Sequence, residues 1–285
     1  MRLVIVHYHI FKNAGSTIDY MLRNTFGENW VTFDGELPAG RILPQQMAGF
    51  IMENPMLRAV SSHQALLPLP ETPDTEVFPI VCFRHPLDRA RSVYDFERRQ
   101  GLTLGHVSQG AEHARRLSFA DYLRWRFDSA ENGVVHNHQT TWLLHEKRYS
   151  NHVITEKDFA QACIQLQSLS YFGLVEEFPR SVNLLAGRLM QHGVKFDTNY
   201  QVINRNSERH ESLAQRLESL RENVGETIWG ELQGRNRWDC LLHDVATMEF
   251  RRRVKHRLHT EELQQSELSQ DAEKVRRAKT VKRKT

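Results

Sequence analysis

Cysteine is scarce in this chain and poorly placed for pairing. Only Cys82, Cys163 and Cys240 occur among the 285 residues, an odd number, far apart and without metal-ligand spacing. Neither a disulfide framework nor a metal site is expected, and the three read as small hydrophobes in a reducing compartment. Long apolar runs are missing as well: no stretch reaches the roughly 20 residues that a membrane-spanning helix needs. The first residues, RLVIVHYHI, enter a strand-like run without a charged leader, a long apolar segment and a small-residue cleavage site, so a cytoplasmic location is expected. A Walker loop, G-x-x-x-x-G-K-[ST], is absent, and so is any internal repeat.

What is present is an ordinary globular composition, 40% hydrophobic and 26% charged, enough for one large core or two small ones. Its charge is unevenly spread. Residues 251–285 hold 12 Lys/Arg against 5 Asp/Glu, a net of +7, so the whole chain's +3 leaves −4 for everything before them. The basic pI therefore belongs to the tail, and a nucleic-acid partner is not expected on that ground. The expected organisation is a domain over 1–250 followed by a helical or disordered basic tail over 251–285. Apolar residues are too sparse in the tail for an independent fold, and its charge offers at most peripheral contact with an anionic surface.

Strand-like runs at 3–10, 57–62, 77–83 and 171–175 alternate with helical periodicity at 16–26, 86–100, 118–128, 155–168 and 178–192. Thr155 with Asp158 and Ser118 with Asp121 resemble capping pairs, and Gly193 is a helix stop. From about residue 207 the pattern is wholly helical. The fold class is α/β: a P-loop-like, doubly wound parallel sheet flanked by helices, with a helical C-terminal region.

Two strand-to-helix junctions carry the chemistry. In the first, LVIVHYHI is a buried strand, FKNAGST a turn and TIDYMLRNTF a helix with Ile18, Met21, Leu22 and Thr25 on one face. The first N–H groups of that helix have no internal acceptor. Gly15 admits a phosphate, the Ser16 and Thr17 hydroxyls can donate to it, and Lys12 supplies a full charge. Alone, the same turn could be a tight connection with a cap. In the second, PIVCFRHPLDRARSVYDFERR ends a strand at Phe83, puts Arg84 at its tip and Pro86 at the first helical position. Ser92 lies roughly 9 Å along the helix, so the Arg84 fork and the Ser92 hydroxyl can meet on one phosphate. The bland alternative is that Arg84 pairs with an acidic residue and Ser92 is solvated.

Together the junctions resemble the paired cofactor-binding motifs of sulfotransferases that use 3′-phosphoadenosine 5′-phosphosulfate (PAPS). Lys12, Asn13, Ala14, Gly15, Ser16 and Thr17 match the motif that holds the 5′-phosphosulfate, and Arg84 and Ser92 match the one that holds the 3′-phosphate. The segments SSHQ at 61–64, NHQTTWLL at 137–144 and YFGLVEEFPRSVNLL at 171–185 extend the resemblance toward carbohydrate sulfotransferases of the heparan 2-O and chondroitin type, in a soluble, bacterial-like form. It covers roughly residues 3–210. Phe11 stands where that family has proline, and His85 where it has aspartate.

The resemblance implies an enzyme that moves a sulfuryl group from PAPS, as co-substrate, to a hydroxyl or amine of a carbohydrate, glycolipid or smaller acceptor, without a metal. Lys12 would neutralise the leaving phosphate, and a histidine would take the acceptor's proton. His63 follows a short apolar run and precedes a Pro-rich loop, which places it at a strand's carboxyl end, where such sheets keep their ligands; the family's histidine sits there too. His7 and His9 share a strand face and read as structural, since no third ligand follows at a useful spacing. His136 and His138 flank the N-x-Q-T segment as candidates for acceptor contact. The loops expected to shape the acceptor pocket are 34–56, 101–117 and 129–140. Two other classes stay open: a kinase or nucleotide hydrolase, which would need an acidic strand-end residue for its metal, and a non-catalytic binder of PAPS or of its desulfated product (PAP) with the same fold.

Overall fold

The computed structural model describes residues 1–37, 40–100, 108–128, 132–144, 153–200 and 211–282, with no side-chain description for 132 and from 260 onward. Along the chain lie β1 (Arg2–Tyr8), α1 (Gly15–Phe26), β2 (Trp30–Thr32), α2 (Pro44–Glu53), β3 (Ala59–Ser62), β4 (Thr75–Phe83), α3 (Pro86–Arg99), α4 (Gln109–Arg116), α5 (Phe119–Asp128), α6 (His138–Leu143), α7 (Glu156–Ser168), β5 (Gly173–Leu174), α8 (Phe178–Gln191), α9 (Leu213–Val224), α10 (Glu226–Arg235) and α11 (Arg237–Lys282).

The strands form one parallel sheet in the order β2-β3-β1-β4-β5. β1 and β4 read as nearly unbroken apolar runs because helices cover both faces, and residues 3–8 and 78–83 are buried. From β1 the chain goes to β2 at the far edge, returns inward to β3 beside β1, then crosses to β4 and β5 on the other side. The order of winding therefore reverses next to β1, the place where doubly wound sheets open a crevice beyond their carboxyl ends. Tyr8 pairs with Ser62 and with Val81, so the segments following β1, β3 and β4 leave the sheet side by side.

Several expected loops are helical in part. α2 lies within 34–56, α4 within 101–117 and the start of α6 within 129–140, while 38–39, 101–107, 129–131 and 207–210 lie outside the described residues. The expected 171–175 strand shrinks to two paired residues, and β2, three residues of mixed exposure, has no run long enough to announce itself. A second apolar cluster, built on Leu87, Val93, Tyr94, Phe119, Tyr122 and Leu232, packs α3 against α5, α9 and α10. No helix among the described residues is long and apolar enough to cross a membrane.

The basic tail continues α11 without a break. Leu242, Ala246 and Phe250 are fully buried at a spacing of four, and Val245 and Val254 pack beside them. Met248, on the same helix, is 66% exposed. Packing also runs past residue 250: Arg253 donates to the carbonyls of Leu169 (2.8 Å) and Gln167 (3.1 Å), and Arg257 donates to the Asn183 carbonyl. The boundary expected at 250 therefore falls inside a packed helix.

Candidate functional site

The turn between β1 and α1 is held in an unusual backbone form, with Lys12 at φ 65° and Ala14 at φ 63°. Both are left-handed and cost strain for non-glycine residues. Two buried arginines hold the turn from behind. Arg84 donates from Nη1 to the Lys12 carbonyl at 3.0 Å, and Arg89 donates to the Phe11 carbonyl at 3.4 Å and to that of Val134. With two carbonyls of the turn bound by arginines, its N–H groups are left without a backbone partner: among the described residues no carbonyl accepts from the backbone N–H of Ala14, Gly15 or Ser16. These lie at the positive end of α1, where an anion is stabilised. Ser16 is exposed and Thr17 buried, so of the two hydroxyls Ser16 is the open one. The Lys12 ammonium lies 4.4 Å over the Phe96 ring, beside Phe11, whose ring meets Phe96 edge-on at 5.3 Å.

Asn13 and Gly15 serve the turn differently from what their sequence positions suggest. The Asn13 amide points inward, 1% exposed, and donates to the Cys82 carbonyl (2.7 Å) and to Gln139 Oε1 (2.8 Å). Its side chain ties the turn to the end of β4 and is not open to a ligand. At Gly15, an added Cβ would come within 2.0 Å of the His9 ring atoms Cδ2 and Nε2, so the missing side chain accommodates an imidazole.

That imidazole begins a file of histidines across the strand ends. His7 and His9 both turn Nδ1 to Asp19 on α1, at 2.7 and 3.1 Å, and His7 Nδ1 also meets Ser61 Oγ at 3.1 Å. The His9 ring stacks on His63 with centroids 4.0 Å apart and planes 27° apart. His63 Nδ1 is 3.0 Å from Asp34 Oδ2, and Asp34 Oδ1 accepts from Ser62 Oγ (2.9 Å), His63 N (2.8 Å) and Gln64 N (3.2 Å). A carboxylate only accepts, so in the neutral ring Nδ1 carries the proton and Nε2 is the basic nitrogen of His63, whose side chain is 52% exposed. Burial alone would raise the Asp34 carboxyl, but hydrogen bonds from His63 and Ser62 outweigh it and hold it below the usual range. Asp19 is likewise held down, its burial outweighed by His7 and His9. Burial pushes His9 down to about 4, against the opposing pull of Asp19. His7, His9 and Asp19 bring their ligand atoms within 4.8 Å of one another, a set that could hold a metal ion only by giving up these hydrogen bonds. The pair thus has the third partner that sequence spacing did not reveal, on a helix rather than a strand.

The second junction is also occupied by protein groups. Arg84 is buried at the strand tip as expected, but Nε and Nη2 both donate to Asp88 Oδ2, at 2.9 and 2.7 Å. Its fork is turned to Asp88, not to Ser92, which is half-buried farther along α3. Asp88 is shared: Arg216 of α9 donates to its Oδ1 at 3.0 Å. Arg89, fully buried, has no partner for its Nε among the described residues, and burial lowers it to about 10 despite the nearby Asp239. Two arginines thus share the Asp88 carboxylate, and a third, Arg89, lies near Asp239. His85 is turned away from Arg84, its N–H donating to Glu176 (2.8 Å) and its ring meeting His243 edge-on at 5.1 Å.

Gln139 holds the two junctions together. Its Oε1 accepts from Asn13 and from the Arg84 N–H, and its Nε2 donates to the Arg84 carbonyl at 2.7 Å. Gln139 is fixed in turn by Asp239, which accepts from the N–H groups of Gln139 (3.0 Å) and Thr140 (2.7 Å), while Asn137 Oδ1 accepts from the N–H groups of Trp238 and Asp239. Each residue caps the other's helix, α6 and α11. The N-x-Q-T segment is therefore structural. His136 packs near Phe127, 5.7 Å between rings, with Nε2 buried and without a hydrogen-bond partner among the described residues, and His138 Nδ1 meets the Gly133 carbonyl at 3.1 Å; these neighbours are not residues of the turn. Burial pushes the Cys82 and Cys240 thiols up to about 12 and raises that of Cys163, so none is an activated nucleophile.

Fold and site define an α/β protein with a doubly wound parallel sheet, whose adjacent strand ends carry an unpaired helix N-terminus, a basic junction and a carboxylate-anchored histidine. No protein-family model matches the chain. It is similar to an uncharacterized protein of Archaeoglobus fulgidus, 29% identical over 248 residues, which span 85% of this chain and 94% of that one.

Proposed function

We propose that the protein is a sulfotransferase that moves the sulfuryl group of PAPS to a hydroxyl, most simply that of a carbohydrate or glycolipid, by in-line displacement. One observation carries the reading: the turn whose N–H groups at residues 14–16 have no backbone acceptor among the described residues is pinned at its carbonyls by Arg84 and Arg89 and meets, at Gly15, the ring of His9, which stacks on the Asp34-anchored His63. An anion-holding turn and a base are thus one ring's thickness apart. In the reaction His63 Nε2 takes the acceptor's hydroxyl proton as the acceptor oxygen bonds to sulfur. The bond from sulfur to the bridging oxygen breaks, and the 5′-phosphate leaves with that electron pair, met by Lys12 and the α1 N-terminus. Arg84 and Ser92 are assigned to the 3′-phosphate, with Arg216 close at hand.

A kinase-like reading needs a carboxylate for its metal. The nearest, Asp19 and Asp34, are already committed to histidines. Incubation with 35S-labelled PAPS and a mixed glycan and glycolipid acceptor pool tests the proposal, alongside calorimetric titration with PAP and with Mg-ATP. Label transfer, and PAP bound in preference to ATP, are expected. PAP binding without transfer to any acceptor supports the non-catalytic binder, and preference for Mg-ATP the kinase. His63→Ala is expected to lower turnover by about 10²–10⁴-fold with PAP affinity nearly intact.

A further inference from the structure

We infer that His9 is a positioning residue for the transfer step: anchored by Asp19 and seated on Gly15, its ring is the surface against which His63 is held. This rests on the sulfotransferase reading. His63 is half-exposed at a strand end, and Asp34 fixes its Nδ1 edge. The direction of Nε2 also depends on what the face of the ring rests against. That support is His9, 4.0 Å away and nearly parallel. His9 is itself immobilised on two sides. Its Nδ1 meets Asp19 at 3.1 Å, and its opposite edge fills the space above Gly15, the first residue of α1. The anion-holding turn and the base are therefore measured off from one ring, and a displacement of about 1 Å at a reacting group costs on the order of 10²-fold in rate.

The variants are His9→Ala, which removes the support, and His9→Phe, which keeps a flat ring but not the Asp19 bond. Turnover of His9→Ala is expected to fall about 10–10²-fold with the PAP dissociation constant within about threefold of the parent, and His9→Phe to recover at least half of that loss on a logarithmic scale. The second readout is the His63 Cε1 proton resonance of the free protein, shifted upfield by the stacked ring in the parent and in His9→Phe and released in His9→Ala. It needs neither PAPS nor an acceptor, so it reports on His9 even if no sulfate is transferred. Loss of label transfer and of PAP binding in the parent would strike the functional reading. Unchanged turnover in His9→Ala, PAP affinity falling in step with turnover, or a His63 resonance indifferent to His9→Ala would overturn the inference.

Discussion

The imidazole of His9 occupies the space that a side chain on Gly15 would need. Gly15→Ala is therefore expected to destabilise the fold by about 1–3 kcal/mol, the usual cost of overpacking. The cost should largely vanish when His9 is alanine too, because the clash is with that ring. Urea denaturation of the two single variants and the double variant measures the coupling. Additive losses would place the strain in the backbone of the turn instead.

Arg84→Lys keeps a charge but gives up the fork that Asp88 and the Lys12 carbonyl share. A nucleotide with a 3′-phosphate and its counterpart without one should then bind with nearly equal affinity, where the parent prefers the first. Thermal denaturation should also show a loss, since the partners left behind are buried. An unchanged preference in calorimetric titration would remove Arg84 from the 3′-phosphate site and leave it as the support of the turn.

Acid should destabilise the fold before any carboxylate is protonated. Burial lowers His9, His85 and His136 from 6.5 to about 4. Between these values the unfolded chain holds protons that the folded chain refuses, so stability rises with pH across that window and falls as pH drops through it. Scanning calorimetry from pH 7 to pH 5 should show a decreasing melting temperature, and His136→Gln should flatten the slope by about one proton's worth. A melting temperature independent of pH over that range would contradict the burial of these rings.

Truncation should separate packing from charge along α11. Ending the chain after Phe250 removes Arg253, whose bonds to two carbonyls are worth about 1.5–3 kcal/mol, together with the packed Val254 and the Arg257 contact. Ending it after His259 retains all three. Urea denaturation should therefore find the shorter chain destabilised and the longer one near the parent. Equal stabilities would return the domain boundary to residue 250.

The α/β class and the order of the main elements were legible because β1, β4 and the larger helices carry periodic apolar patterns within themselves. The turn at 12–17 was legible for the same reason: strand, turn and helix start are contiguous. Its partners were not. Asp34 reaches His63 across 29 residues and Arg216 reaches Asp88 across 128, and no local pattern announces either. Asp19 was nearer to hand, four residues into α1 and following two histidines on one strand face, but only the packing of that helix on the sheet turns it toward them. Asn13 and Gly15 stood out in the sequence without their neighbours, because sequence shows that a small or polar residue is needed without showing what lies against it. α2, α4 and the start of α6 were read as loops. Even so, Ser108 ahead of α4 is an N-cap that accepts from Ala111, a signal available in the sequence.

The paired caps of α6 and α11 impose an order in time. Gln139, which squares Asn13 and Arg84 against each other, is held by Asp239, 100 residues later in the chain. As the protein is synthesised, both basic junctions have left the ribosome while their brace is still untranslated, a delay of roughly 5–20 s at ordinary elongation rates. The part of the molecule that is written first is thus completed last. Until α11 begins, Arg84 already has Asp88 four residues away to point at, but the glutamine that ties its backbone to Asn13 is not yet fixed.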